Sequence, residues 1–472
     1  MSSSYFSPIS PSILQHIRDP QSLVRDPSQE IYTNRSLDLS SIEAIGFDMD
    51  YTLVNYHKKP MEQLQYEMTL EYLVKTLGYP ADLYQLQYDP NLSIRGLVVD
   101  KRYGLLLKMD MHGQVWRAKH GYRALASEEI KDLYQNHKIK ITSDFASLDT
   151  LFAMPEASLY CDLVHFFRHQ SPNFAQIFED IRHSIDTIHS NGSLKSIIRK
   201  DLPRFIETHN DIALTLHKLR SSGKKLFLLT NSHFDYTETV MSYLLGNWMP
   251  YFDYVITDSR KPAFFTEGAP FKKISEKSSH PIYEGGNIAE FEEMAGLVGG
   301  KVLYVGDHIY GDIVRSRKET LWRTCLIVEE LPREIELSMR FTPELDQLRQ
   351  IDQERITLDK EIGLHRALLA YLDSTGLQAE AVRLRNEMEA AKKHLGSLDR
   401  KMDLVQDDLE RRFHPFWGEL FYEHHDLSRF GSQVKAYACI YTSRITNFLP
   451  YSPMHHFRKR AELMSHDLPF RF

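Results

Sequence analysis

In the stretch Ile42-Glu43-Ala44-Ile45-Gly46-Phe47-Asp48-Met49-Asp50-Tyr51-Thr52-Leu53, an apolar run ends in two carboxylates two residues apart. On a strand both acids would point the same way. Just beyond its end they can both face the crevice above a sheet, where ligands of doubly wound folds bind. One carboxylate can then attack phosphorus while the other handles the proton. A lone Asp-x-Asp reads more readily as a solvated turn, so its company matters.

Three more apolar runs end in polar residues. Lys225 to Leu229 leads into Thr230, Tyr254 to Thr257 into Asp258 and Lys261, and Val302 to Val305 into Gly306 and Asp307. Short apolar runs with polar ends suit buried parallel strands. Helical segments lie between the later ones, such as Asp211 to Arg220, with Gly223 as its C-cap. The pattern predicts a doubly wound α/β sheet. Roughly 170 residues separate the first run from the second, far more than one crossover needs. They hold extended stretches (Gly96 to Asp100, Leu105 to Lys108) and a helical one (Phe174 to His189), so an inserted α+β domain is expected. Insertions of this kind commonly cover a site and choose its substrate.

The predicted organisation is an N-terminal arm at 1–35, a core at 36–60 and 205–340, and an inserted cap at 61–204. A helical hairpin at 345–412 and an aromatic segment at 413–472 follow, the latter packing on the core or at an interface. The hairpin rests on Leu384, Met388, Ala391, Leu395, Leu398, Met402, Val405 and Leu409, spaced alternately by four and three as in a heptad seam. Ile351, Leu358, Ile362, Leu369 and Leu372 fit a partner seam, with Asp373-Ser374-Thr375-Gly376 as the turn. Such a seam serves internal packing or an oligomer contact equally well. In the tail, Arg458, Lys459 and Arg460 read as a solvated or packing segment.

Composition excludes little. The 472 residues carry a formal net charge of −7, which gives no electrostatic reason to expect nucleic acid. Cys161, Cys325 and Cys439 are too scattered for a disulfide framework or a zinc site, and a reducing cytoplasmic setting is expected. Neither a signal peptide nor a transmembrane run is expected, so no membrane partner.

The chemistry lies in the charge balance. Asp48, Asp50, Asp307 and Asp312 would bring four negative charges to a phosphate dianion, and Lys261 cannot offset that alone. Mg²⁺ can, and oxygen-only ligation at an open site suits it. Thr230-Asn231-Ser232 offers hydroxyls and backbone N–H groups to phosphate oxygens, and Gly306 and Gly311 permit sharp turns.

These motifs, in this order, resemble the haloacid-dehalogenase-like phosphohydrolases. GFDMDYTL (46–53), RGLVVD (95–100), LDTLFAMPE (148–156), GSLK (192–195), LLTNS (228–232), RKPAFF (260–265), VGDHIYGDI (305–313) and WRT (322–324) are similar to the cytosolic IMP/GMP-specific 5′-nucleotidase family within that superfamily. The likeness resumes at FGSQVKAYACIYTSRITNF (430–448). The resemblance implies Asp48 as nucleophile, forming an aspartyl phosphate, and Asp50 as the acid and base. It implies Thr230, Asn231 and Lys261 on the phosphoryl group. Mg²⁺ would lie on the Asp48 carboxylate, the Asp50 carbonyl and Asp307, with Asp312 completing or orienting the shell. In the cap it implies Phe152 for base stacking and Arg182, Asp186, His189 and Lys195 for polar contacts with a purine nucleoside 5′-monophosphate. The spacing of Arg182, Asp186 and His189 lets one helix face present all three. Ser190 stands where Tyr is expected from the family. The resemblance further implies phosphotransfer, a homo-oligomer (dimer or tetramer), and purine-nucleotide activation through Tyr310, Lys318 and Gln433. Asp149 stands where Asn is expected, and a carboxylate there would repel an effector phosphate. The competing readings are a phosphatase of sugar phosphates or phosphoproteins, and a non-catalytic scaffold built on the hairpin and tail.

Overall fold

In the computed structural model, which describes residues 26–134, 139–274, 281–297, 299–375, 377–424 and 426–459, the four apolar runs become four consecutive strands of one sheet. In chain order the sheet takes β1 (Tyr32–Thr33), β2 (Ala44–Phe47), β3 (Lys225–Leu229), β4 (Tyr254–Thr257), β5 (Phe271–Lys273), β6 (Ile282–Gly285), β7 (Val302–Gly306), β8 (Arg323–Ile327) and β9 (Ile440–Thr442). The spatial order is β1-β9-β8-β7-β2-β3-β4-β6-β5. All pairs from β9 to β6 are parallel, while β1 and β5 run antiparallel at the edges.

Burial of both faces explains why these strands read as unbroken apolar runs. Ile45, Phe47, Leu226, Leu228, Leu303 and Val305 enter one hydrophobic core, with Ile212, Leu216 and Leu219 of the helix Asp211–Ser221. Ala44, Phe227, Leu229, Val302 and Tyr304 enter a second core, with Phe291 and Trp322. Alternate residues therefore point to opposite faces, and helices cover both. The fold is the doubly wound α/β class.

Between β2 and β3 stands a five-stranded antiparallel sheet, ordered Arg123–Ala124, Val115–His120, Leu105–Met109, Val98–Asp100, Phe145–Ser147. The helices Lys58–Lys75, Met154–Phe166 and α1 (Phe174–Ser190) belong to the same stretch. The main sheet also recruits β1 from the predicted arm and β9 from the predicted tail. Strands of two and three residues are too short to carry a visible period. The three cysteines are buried and free. The N-terminal part of the predicted arm and Arg460 lie outside the described residues.

Residues 333–419 form a compact unit by themselves. Within it α2 (Thr342–Thr375) packs along α3 (Gln378–Phe413). Ile351, Leu398 and Met402 share one buried cluster, and Leu409 lies with Phe341 and Phe413 in another. One expectation is corrected here. Asp373, Ser374 and Thr375 are not a turn but the end of α2, and Gly376 lies outside the described residues. Ser374 Oγ donates back to the Tyr371 carbonyl at 2.6 Å, and Asp373 pairs with Arg385 of α3 at 2.7 Å. Those local partners let polar residues that usually favour turns stay helical.

Among the described residues no helix is long and apolar enough to cross a membrane.

Candidate active site

Parallel neighbours end at the same edge of a sheet, so β2, β3 and β7 deliver their polar ends together. Asp48 follows β2, and its backbone N–H donates to the Val305 carbonyl of β7 at 2.9 Å. Lys261 Nζ lies 3.0 Å from Asp48 Oδ1 and 2.7 Å from Asp312 Oδ1. It also donates to the Tyr304 hydroxyl at 2.7 Å. Carboxylate oxygens of Asp48, Asp307 and Asp312 all lie within 4.8 Å of one another. A π turn over Ile309–Val314 swings Asp312 back to this point. Its Oδ2 approaches Gly306 so closely that a Cβ there would stand 2.5 Å away, so this position requires glycine.

Crowding these acids has an electrostatic cost. The Asp48 carboxyl is pushed up to about 7, by burial first and by Asp312 and Asp50 beside it, against the pull of Lys261. Asp307 is held well above the usual carboxylate range by burial, then by Asp312 and Asp48. Burial disfavours the Lys261 cation, yet Asp312 and Asp48 outweigh it and raise its pKa. Asp307 Oδ2 is buried without a hydrogen-bond partner. An oxygen-only donor set with an unsatisfied buried oxygen fits a hard divalent cation such as Mg²⁺.

Asp50 faces another way. Tyr56 donates its hydroxyl to Asp50 Oδ1 at 2.5 Å, and Ser232 donates to Oδ2 at 2.9 Å. The Tyr56 and Tyr236 hydroxyls are 3.0 Å apart. Thr230 is fully buried, its Oγ1 accepting from Ser232 N–H at 3.1 Å. Asn231 clamps the main chain of Lys261: its Oδ1 accepts from Lys261 N–H at 2.6 Å, and its Nδ2 donates to the Lys261 carbonyl at 2.9 Å.

A cleft of about 390 Å³ opens from this centre, lined by Asp48, Asp50, Asp307, Asn231, Ser232, Phe152, Asp186, His189, Ser190 and Lys195 among others. Phe152 packs edge-on against Tyr51 at 4.8 Å and against His189 at 5.5 Å. Tyr51 holds a left-handed backbone (φ 54°), a strained conformation for a bulky residue, directly after the acid pair. His189 Nε2 is buried without a partner, and its pKa falls to about 4 through burial, then Lys195 and Arg182. Burial likewise lowers Lys195.

Arg182 is not brought to this cleft. It lines a second cavity of about 810 Å³ with Tyr310, Lys318, Gln433 and Asp149. There it pairs with the buried Glu156 at 2.9 Å. Arg182, Asp186 and His189 do share a helix face, but four residues of α1 climb about 6 Å, enough to pass from one cavity to the other. Thr150 and His308 line both cavities. Asp149 does not stand as a bare charge, because Arg429 Nη1 lies 3.0 Å from its Oδ1.

Sequence reading missed Tyr56, Tyr236, Tyr304 and the role of Ser232 as a donor to Asp50. A tyrosine within an apolar strand or helix reads as core, and only the fold shows that the Tyr56 and Tyr304 hydroxyls reach acids and that Tyr236 meets Tyr56.

The family model described as "5′ nucleotidase family" matches residues 31–469. The chain is 30% identical over 453 residues to a 5′-nucleotidase domain-containing protein of Dictyostelium discoideum, covering 90% of this chain and 72% of that one. It is 28% identical over 468 residues to 5′-nucleotidase domain-containing protein 2 of Rattus norvegicus, covering 93% and 80%. A solved structure, the predicted phosphoglycolate phosphatase from Haemophilus somnus, is similar at 14% identity with a TM-score of 0.28, covering 61% of this chain and 86% of that one. The sequence relatives carry the assignment: the chain belongs to the 5′ nucleotidase family.

Proposed function

We propose that this phosphohydrolase is a Mg²⁺-dependent enzyme that removes the phosphate from purine nucleoside 5′-monophosphates such as GMP and IMP. The observation that carries the reading is one cleft lined by Asp48, Asp50 and Asp307 together with the ring of Phe152. An Asp48 oxygen would attack phosphorus as the bond to the ester oxygen breaks, leaving the phosphoryl group on Asp48. Asp50 would give a proton to the departing 5′ oxygen and take one from the water that releases phosphate. Lys261 and the Asn231 clamp would hold the phosphoryl oxygens in place, with Thr230 supporting them from beneath. Asp48, Asp307 and the Asp50 carbonyl would hold Mg²⁺, with Asp312 completing or orienting the shell, and the ion when bound would neutralise the phosphate and polarise its oxygens. Phe152 would stack on the base, with Asp186, His189 and Lys195 as its polar neighbours.

Arg182 lies outside the cleft, which favours a second reading: a phosphatase of another small phosphate ester. A panel of nucleoside and sugar monophosphates, with and without Mg²⁺, separates the two. The first reading expects GMP and IMP to exceed CMP, UMP and sugar phosphates, with no release without metal. Equal rates on all monophosphates would remove the purine claim. Inosine added as acceptor tests phosphotransfer in the same panel. The second cavity, with Tyr310, Lys318 and Gln433, is the place proposed for a purine-nucleotide effector, and ATP added to the GMP assay tests it.

A further inference from the structure

Arg95 comes from the insertion, yet it is wired to the acid cluster of the core. Its side chain is 0% exposed. A guanidinium cation out of water needs partners to offset its lost hydration. It has three. One terminal nitrogen forms an ion pair with Glu330. The other, Nη1, donates to the main-chain carbonyl of Asp307 at 3.1 Å. The guanidinium also lies 4.9 Å from the ring centroid of Phe430. The next residue, Gly96, has φ +88° and sits so close to Phe430 that a Cβ would meet its Cβ at 2.6 Å. Its N–H is tied to the Leu148 carbonyl at 2.8 Å. The Arg95 segment is thus seated tightly from several sides.

Asp307 shows a complementary division. Its carbonyl is gripped, while its carboxylate Oδ2 is buried and has no hydrogen-bond partner. The side chain points into the acid cluster, and the arginine fixes the backbone from which it points. We propose that Arg95 is a positioning residue for the metal site: anchored by Glu330, it fixes the Asp307 main chain and so aims the Asp307 carboxylate at Mg²⁺. It touches neither substrate nor metal. The role rests on the Mg²⁺ reading above, and it makes the insertion a support of the metal site as well as a lining of the cleft. Partners behind metal ligands, when removed, typically cost about 10–100-fold in metal affinity.

The test is calorimetric titration of Mg²⁺ into the full chain and its variants, with melting temperatures measured beside it. Arg95→Lys keeps a charge for Glu330 but loses the fork that reaches Asp307 as well. Folded Arg95→Lys is expected to bind Mg²⁺ about 10–100-fold more weakly, with KM for GMP at saturating Mg²⁺ near that of the parent. An unchanged Mg²⁺ affinity in folded Arg95→Lys, even with a lowered melting temperature, would overturn the role and leave a merely structural arginine. Should Arg95→Lys not fold, Glu330→Gln decides by the same titration, since the Glu330 side chain is 23% exposed and its change is the milder one for the fold. It too is expected to weaken Mg²⁺ binding, and wild-type affinity would overturn the proposal. Asp307→Asn separates the two levels. A parent chain that binds Mg²⁺ no better than Asp307→Asn overturns the metal site and this role with it. Binding that Asp307→Asn abolishes but the folded Arg95 and Glu330 variants retain overturns this role alone.

Discussion

Lys261 Nζ meets Asp48, Asp312 and the Tyr304 hydroxyl at once, and Asn231 fixes the backbone from which it extends. On the proposed reading, a cation so placed would also meet the negative charge that develops in phosphoryl transfer. Lys261→Met is therefore expected to lower kcat for phosphate release by about 10²–10³-fold, measured at saturating Mg²⁺. The Asp48 carboxyl, pushed up to about 7, sets a second expectation. Mg²⁺ needs both the Asp48 and the Asp307 carboxylates, each raised above its ordinary value, so metal binding must displace protons and affinity should rise with pH by at least about tenfold per unit below about pH 7. The sign for stability is the reverse. From about pH 4 to about pH 7 the metal-free folded state keeps a proton that the unfolded chain has already released, so stability falls as pH rises through that window. Saturating Mg²⁺ should abolish the fall, and melting curves across pH with and without Mg²⁺ check it. At this scale the acids, Lys261 and Asn231 were legible because each follows an apolar run within a few residues. Tyr56, Tyr304 and Arg95 were not. Tyr304 meets Lys261 43 residues back and Arg95 meets Asp307 212 residues on, while Tyr56 reaches Asp50 only six residues back but through the fold rather than a strand or helix period, so no local pattern marks them.

Elements were legible where their period repeats. The four central strands read as apolar runs because both faces of the sheet are buried. The hairpin showed because its seams persist over many turns. β1 and β9, at two and three residues, offered no period at all. The misread turn at 373–375 shows that Asp and Ser mark turns only when no helical partner claims their side chains. The hairpin core makes its own prediction. Leu398→Ala should destabilise the α2–α3 pair by about 2–5 kcal/mol, seen as a lower melting temperature of the helical signal. The π turn after β7 makes another. Gly306→Ala would place a Cβ 2.5 Å from Asp312 Oδ2 and so displace the acid that Lys261 holds. It should abolish most phosphate release and leave the sheet intact by circular dichroism.

The molecule as a whole brings distant segments to one edge of one sheet. β2 supplies the paired acids, β3 the clamp, the segment after β4 the lysine, and β7 with its π turn two more acids. The insertion contributes Phe152, Asp186, His189 and Lys195 to the cleft, and Arg95 to the support of Asp307. The insertion was visible from the length between the first two runs, but its two cavities were not. Spacing along α1 told that three polar residues share a face; it could not tell that this face passes two cavities. Among these assembled acids, Asp48 is the one proposed to carry the phosphoryl group. Acid quenching during GMP turnover with Mg²⁺, followed by mass spectrometry of the peptides, tests it most directly. A phosphoryl mass increment on Asp48, absent without Mg²⁺ and absent in Asp48→Asn, is the expected result. A phosphoryl group on another residue, or undiminished turnover by folded Asp48→Asn, would rule Asp48 out as the nucleophile.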